Sequence, residues 1–349
     1  MKMNISNDRR FIAEWETQDA ILIAIPDQTT DWNYILDEVK DCYFNICKAI
    51  IEGNQKLIVI TSSISDAKSL LSSLNQDLII YVETIINDTW TRDYGFISVT
   101  EDQYMKALDF EFNGWGLKFA SNRDNLINLK LLNNGIIPQN SYINYRDFTL
   151  EGGSLETDGK GTLLTTSECL CSQNRNGGKS KIEIEEILSK RLGINHFLWL
   201  DHGYLAGDDT DSHIDTLARM CPNDTILYVG CRNVDDEHFE ELLKMRMQLS
   251  SFCTQTGNKY NLIELPLPDP IFDNEGERLP ATYANYLVMN DRVLVPTYNQ
   301  EQNDSEAINK IKLAFPNHEI IGIDCCVLIK QHGSLHCSTM QIPKGLLNI

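Results

Sequence analysis

The sequence predicts a mixed α/β fold in which about five similar modules close into a single domain over residues 1–349. Three observations carry that prediction. The order hairpin, helix, strand recurs along the chain; no linker rich in Pro, Gly or Ser separates the copies; and 42% hydrophobic residues suffice for one large core. A module with a single apolar face cannot bury it alone, so the copies should pack radially or as stacked neighbours.

Residues 20–25 read as a strand, 32–51 as a long helix and 56–61 as a second strand, together one unit. A looser copy follows, helix 63–74 and strand 77–82. A hairpin spans 149–166, with the turn Asp158-Gly159-Lys160-Gly161 between two β-rich runs. Its helix, 181–192, carries an apolar stripe of Ile182, Ile184, Ile187 and Leu188 and stops at Gly193; strand 196–200 ends the unit. The pattern returns as segment 213–230, helix 237–252 and strand 261–265. It returns again as a hairpin over 283–296 about Asn290-Asp291, helix 305–315 and strand 319–323.

Fifty acidic against thirty basic residues leave a formal charge of -20, which argues against a nucleic-acid partner and would attract a cation. The same acidity also serves plain solubility. The opening MKMNISNDRRFIAEWETQ has no apolar stretch behind its charges, and no run elsewhere approaches the ~18 residues of a membrane span. The expectation is a cytoplasmic protein with no membrane partner. Its ten cysteines then read as reduced thiols, most of them small buried hydrophobes.

Among the candidate chemical groups, Asp209, Asp211, His213 and Asp215 recur at alternate positions, which on a strand would share one face. Crowding them is costly unless a cation is held there. An EF-hand loop begun at Asp209 would put Ile214 and Met220 where Gly and Glu are required, and no standard zinc spacing surrounds His213. An organic cation therefore suits the cluster better than a metal.

The second cluster, Lys330 to Cys337, places a cysteine at the end of a strand-like segment after Gly333. Its thiol needs a cationic or hydrogen-bonding partner to ionise at neutral pH. Adjacent strand residues face opposite ways, so His336 reads as structural and His213 as the partner. Cys325 and Cys326 read as core residues in a strand, and Cys169 and Cys171 as structural. Two more strings, Thr89-Trp90-Thr91-Arg92-Asp93-Tyr94-Gly95 and Leu150-Glu151-Gly152-Gly153-Ser154, set a carboxylate beside glycine. Such a carboxylate matches the N–H fork of a guanidinium, although Arg92 could equally neutralise Asp93, and Glu151 could cap a turn.

Together with Ala13-Glu14-Trp15-Glu16, Phe112-Asn113-Gly114-Trp115-Gly116, GTLLTTSECL, Asn174-Arg175-Asn176, DDTDSHID and HGSLHC, these strings resemble the agmatine deiminase family, over nearly the whole chain and in the family's order. The family lies in the guanidino-group-modifying, or pentein, superfamily. The resemblance implies a five-bladed α/β propeller with a pseudo-fivefold repeat of ββαβ modules and a central active site. It implies Cys337 as nucleophile, His213 as general acid/base, and Asp93, Glu151 and Asp215 as carboxylates around the substrate. Trp90 and Trp115 would wall the pocket, with Asn285, Asp209 and Gly333 also at the substrate.

The implied reaction converts agmatine to N-carbamoylputrescine and ammonia through a Cys337 thiouronium, without metal or cofactor, in polyamine synthesis. A homodimer is compatible with it. Gln18 stands where many members carry His, and His332-Gly333-Ser334 replaces a glycine-rich run; both bear on substrate choice rather than reaction class. Deimination of peptidylarginine is the nearest alternative. Outside this chemistry stands a non-catalytic cation- or metal-binding protein using Asp209, Asp211, His213 and Asp215, and behind it a cysteine peptidase.

Overall fold

The computed structural model describes residues 9–348, so the first eight residues of the opening segment read above lie outside the described residues. Strand pairing divides the chain into five separate sheets. Four follow one plan: an antiparallel pair, a helical crossover, and a third strand parallel to the second. In the plainest copy, Ala218–Cys221 pairs antiparallel with Thr225–Gly230, helix Phe239–Ser251 crosses over, and Asn261–Pro266 lies parallel. The other copies are built on Ile97–Glu101, Tyr104–Glu111 and Tyr142–Thr149; on Glu156–Thr157, Thr162–Thr166 and His196–Leu200; and on Leu287–Val288, Arg292–Thr297 and Glu319–Asp324.

The remaining sheet joins the two ends of the chain. Thr339–Pro343 pairs antiparallel with Gln18–Ala24, and Lys56–Thr61 and Ile79–Glu83 add in parallel. Neighbouring units touch in sequence around a ring. Helix Leu36–Glu52 packs on Glu319–Asp324, helix Glu301–Ala314 on Asn261–Pro266, Ala218–Cys221 on Glu156–Thr157, and helix Lys181–Leu192 on Arg9–Phe11. The short helix Thr91–Tyr94 closes the circle against Gln18–Ala24 and Thr339–Pro343. The architecture is the α/β pentein fold with its ββαβ repeat.

Local sequence explains the elements. Val39, Tyr43, Ile46 and Ile50 put one buried stripe on helix Leu36–Glu52, each worth about 1.5–3 kcal/mol relative to exposure. Strands Gln18–Ala24 and Lys56–Thr61 carry the apolar runs Ala20 to Ala24 and Leu57 to Ile60, which are buried throughout, as expected of parallel strands inside a core. Ser180 forms a capping box with Glu183 at the start of helix Lys181–Leu192, and Gly193 ends it at φ 77°.

Several expectations need correction. The units read at 20–61 and 63–82 are one sheet, and the place of the second belongs to the hairpin turned at Asp102-Gln103, where two successive non-glycine residues have positive φ. The hairpin read over 149–166 begins only at Glu156, because Thr149 still pairs with Glu111 in the preceding sheet. Helix 305–315 starts earlier, at Glu301, and Ile182, assigned to an apolar stripe, is exposed. Cys325 and Cys326 follow their strand rather than sit in it. Among the described residues no helix is long and apolar enough to cross a membrane.

Candidate active site

Each of the five units brings one polar segment to the middle of the ring, just before its first strand. Asp93 precedes Ile97–Glu101, Glu151 precedes Glu156–Thr157, His213 and Asp215 precede Ala218–Cys221, Asn285 precedes Leu287–Val288, and Cys337 precedes Thr339–Pro343. All six are buried.

His213 is held on both edges: Nε2 lies 3.2 Å from Glu151 Oε2 and Nδ1 lies 3.6 Å from Asp93 Oδ1. Burial alone would lower the imidazole pKa, but Asp93, Cys169 and Glu151 together carry it well above the usual value, which favours the imidazolium. Asp93 accepts the Gly153 N–H at 3.0 Å on Oδ1 and the Trp115 indole N–H at 2.9 Å on Oδ2. Its pKa is raised, by burial and by the charges of Asp215 and Glu151. Glu151 moves the other way: burial is outweighed by His213 and by the buried Arg175, whose Nε donates to Glu151 Oε2 at 2.7 Å. Asp215 likewise stays below the usual carboxylate range in spite of burial, because His336 Nδ1 lies 2.7 Å from its Oδ2.

Among the described residues no cationic side chain contacts the Cys337 thiol. Its thiol donates to Asn285 Oδ1 at 3.4 Å, and that oxygen also takes the Cys337 backbone N–H at 3.2 Å. Burial first, then Asp215 and Asp93, push the thiol pKa well above its ordinary value. His213 is thus paired with Glu151 and Asp93 rather than with the Cys337 thiol, whose surroundings favour the protonated form. His336 does turn away from Cys337, but not by strand alternation, since both residues lie in a turn ahead of the strand.

Two carboxylate oxygens in this center, Glu151 Oε1 and Asp215 Oδ1, are buried without a hydrogen-bond partner. A buried, charged acceptor in that state costs several kcal/mol, roughly, unless a donor arrives. Over Cys337 opens a pocket of about 170 Å³, lined by Trp90, Trp115 and Phe119 together with Asp31, Asp88, Asp208 and Asp209. Gly333 is required there, since a β-carbon on it would lie 2.5 Å from the Trp90 ring.

The row Asp209 to Asp215 is a turn, and its alternate residues do not share a face. Asp211 is taken by Arg175 and Lys118, Asp209 looks toward the pocket mouth and His332, and only His213 and Asp215 reach the center. The four-residue ligand set weighed for a bound metal is thus not assembled. A different trio is close: ligand atoms of Glu151, Cys169 and His213 lie within 4.8 Å of one another, but the Arg175 guanidinium already balances that carboxylate. Cys169, read as structural, thus stands against Glu151 and His213. Nor does Arg92 neutralise Asp93; its guanidinium reaches Gln341 and the His336 carbonyl.

Sequence reasoning gave no role to Arg175 or Arg219. A signal existed for the second: Arg219 is the one charge in the otherwise apolar strand Ala218–Cys221, and a buried guanidinium demands acidic partners, here Glu14 and Glu156.

Comparison with known proteins gives the family and the fold. The family model for Porphyromonas-type peptidyl-arginine deiminase matches residues 10–343. A solved Porphyromonas gingivalis protein, provisionally named an arginine deiminase, is 45% identical, with 98% of this chain and 100% of that one covered and a TM-score of 0.93. A substrate-bound serine-for-cysteine variant of the C. jejuni agmatine deiminase is 37% identical, covers 99% of both chains and has a TM-score of 0.90. The agmatine deiminase of Medicago truncatula is 29% identical over 365 residues, 95% of each chain. This chain belongs to the agmatine deiminase family, within the Porphyromonas-type peptidyl-arginine deiminases, hydrolases of carbon–nitrogen bonds in amidines.

Proposed function

We propose that this chain is an agmatine deiminase, one domain over residues 1–349, which hydrolyses agmatine to N-carbamoylputrescine and ammonia in cytoplasmic putrescine synthesis. The observation that carries the reading is the pocket over Cys337: its wall holds Asp31, Asp88, Asp208 and Asp209, and among the described residues no lysine or arginine lines it. A doubly cationic chain is attracted along its whole length, whereas the carboxylate of free arginine meets four aspartates.

The guanidinium lies over Cys337, where the unpaired Asp215 Oδ1 and the Asp93 carboxylate accept its N–H groups. Its positive charge replaces the missing cation, and the Cys337 proton leaves to solvent. Sγ adds to the central carbon, His213 passes its proton to one terminal nitrogen, and the C–N bond breaks to give ammonia and a thiouronium. Neutral His213 then takes a proton from water as the hydroxide adds to that carbon. The C–S bond breaks, the ureido carbonyl forms, and the hydroxyl proton returns to the thiolate.

The test is ammonia release from agmatine, free arginine and an arginyl peptide, with Cys337→Ala and a chelator as controls. Agmatine-selective release that needs Cys337 and survives chelation is expected. Faster release from either arginine substrate would overturn the substrate; no release from any guanidine, with a divalent metal raising Tm, would overturn the chemistry.

A further inference from the structure

Two features singled out in the sequence take no part in the steps above: Glu14, in Ala13-Glu14-Trp15-Glu16, and His336 beside the nucleophile. The ring brings them together under Asp215. His336 Nδ1 lies 2.7 Å from Asp215 Oδ2, and Nε2 lies 2.9 Å from Glu14 Oε2 and 3.1 Å from Arg219 Nη2. Arg219 is anchored in turn by Glu156 and by the carbonyl oxygens of Ala284, at 3.0 Å, and Tyr286, at 2.6 Å. The His336 backbone N–H donates to Asn285 Oδ1 at 2.8 Å, on the oxygen shared with Cys337.

These contacts fix the imidazole at its backbone and at both ring nitrogens. A carboxylate otherwise swings about a broad terminal torsion, so a single strong contact on one oxygen determines where the other points. With Oδ2 held by His336, Oδ1 is the oxygen left buried and unsatisfied. We propose that Glu14 and His336 are positioning residues that orient the Asp215 carboxylate for the guanidinium, an inference that rests on the deimination reading above.

A purely structural role for this buried cluster would predict loss of folding stability without selective loss of substrate affinity. Two substitutions separate the cases, because an Asn amide nitrogen falls near the place of His Nδ1, and a Gln amide nitrogen near that of Nε2. His336→Asn keeps the Asp215 contact, and His336→Gln keeps only the Glu14 contact. Agmatine affinity is measured by calorimetry in a Cys337→Ala background, alongside Tm, with KM and kcat in the active background. Leaving Asp215 Oδ2 without its donor should weaken binding by about tenfold in the Gln variant, against less than about threefold in the Asn variant, at similar Tm.

Glu14→Gln, which retains an acceptor for the ring, should raise KM more than it lowers kcat and serves if the histidine variants fold poorly. Equal loss of affinity in the Asn and Gln variants, or a fall in Tm with affinity unchanged, overturns the assignment. A wild-type protein that binds no guanidine would instead sink the deimination reading. In that event the imidazole 15N–1H spectrum decides: a downfield His336 Nδ1–H resonance that moves in Asp215→Asn supports the pair, and its absence in the wild type overturns it.

Discussion

Gly153 offers the sharpest probe of the center, because a methyl group there reports on three side chains at once. A β-carbon on Gly153 would lie 2.6 Å from His213 Nδ1, 2.9 Å from Asp93 Oδ1 and 3.2 Å from Asp215 Oδ2. Ordinary contact begins near 3.4 Å, so His213 must retreat by about 0.8 Å and Asp93 by about 0.5 Å. Neither is free to do so: Glu151 backs the imidazole at 3.2 Å, and Trp115 holds Asp93 at 2.9 Å. Misplacing reacting groups by about 1 Å costs on the order of 100-fold in rate, or about 2.7 kcal/mol of barrier. Gly153→Ala should therefore lower kcat/KM for ammonia release about 100-fold. Overpacking should cost about 1–3 kcal/mol of stability, leaving the protein folded at 25 °C. A folded Gly153→Ala protein within about threefold of wild type would refute the convergence of these three groups on Gly153.

Three further outcomes follow from the same geometry. Alkylation of Cys337 by iodoacetamide should show an apparent pKa well above that of a free cysteine, and Asp215→Asn should speed it about tenfold at pH 7.5; no acceleration removes the electrostatic account. Burial raises the Asp88 pKa to about 7, and an ammonium binds its ionised form, so KM for agmatine should fall as pH rises through about 7. Asp88→Asn should flatten that limb, and an unchanged pH profile in the variant would exclude Asp88 from amine recognition. Arg175→Met strips the partner from the buried Glu151 and should cost about 3–5 kcal/mol in urea unfolding, a loss that a difference below about 1 kcal/mol would contradict.

Parts of the ββαβ repeat were legible because some signals act locally: the turns at Asp158 to Gly161 and Asn290-Asp291 and the helix stop at Gly193 all mark real boundaries. The N-terminal allocation was not. Three parallel strands alike in apolar character, Gln18–Ala24, Lys56–Thr61 and Ile79–Glu83, give no local sign that they share one sheet. Their closing partner, Thr339–Pro343, is more than three hundred residues away in sequence, a pairing that only tertiary structure records. The site residues stood out as polar groups beside glycine in apolar surroundings. What could not be read was direction. Alternation along Asp209 to Asp215 assumes a strand, and a turn with Asp211 and Ser212 at positive φ destroys the assumption.

The charge state of the center explains why these residues had to be read together. Asp93, Glu151 and Asp215 are buried in one space; the His213 ring and the Arg175 guanidinium face them directly, and the His336 ring lies against Asp215. Two acceptor oxygens remain unpaired, and a thiol sits where a thiolate is needed. A guanidinium supplies what is missing on both counts: planar N–H donors for the oxygens and a positive charge that stabilises the anion of Cys337. In the proposed mechanism binding and activation would then be one event, with the Cys337 thiol favoured until the substrate is seated. In the proposed reaction the product would carry a neutral ureido group, so hydrolysis would remove the charge that held the guanidinium, the carboxylates would lose that counterion, and the thiol pKa would rise again. On that reading the electrostatics that draw the guanidinium in would also favour release of the neutral ureido end.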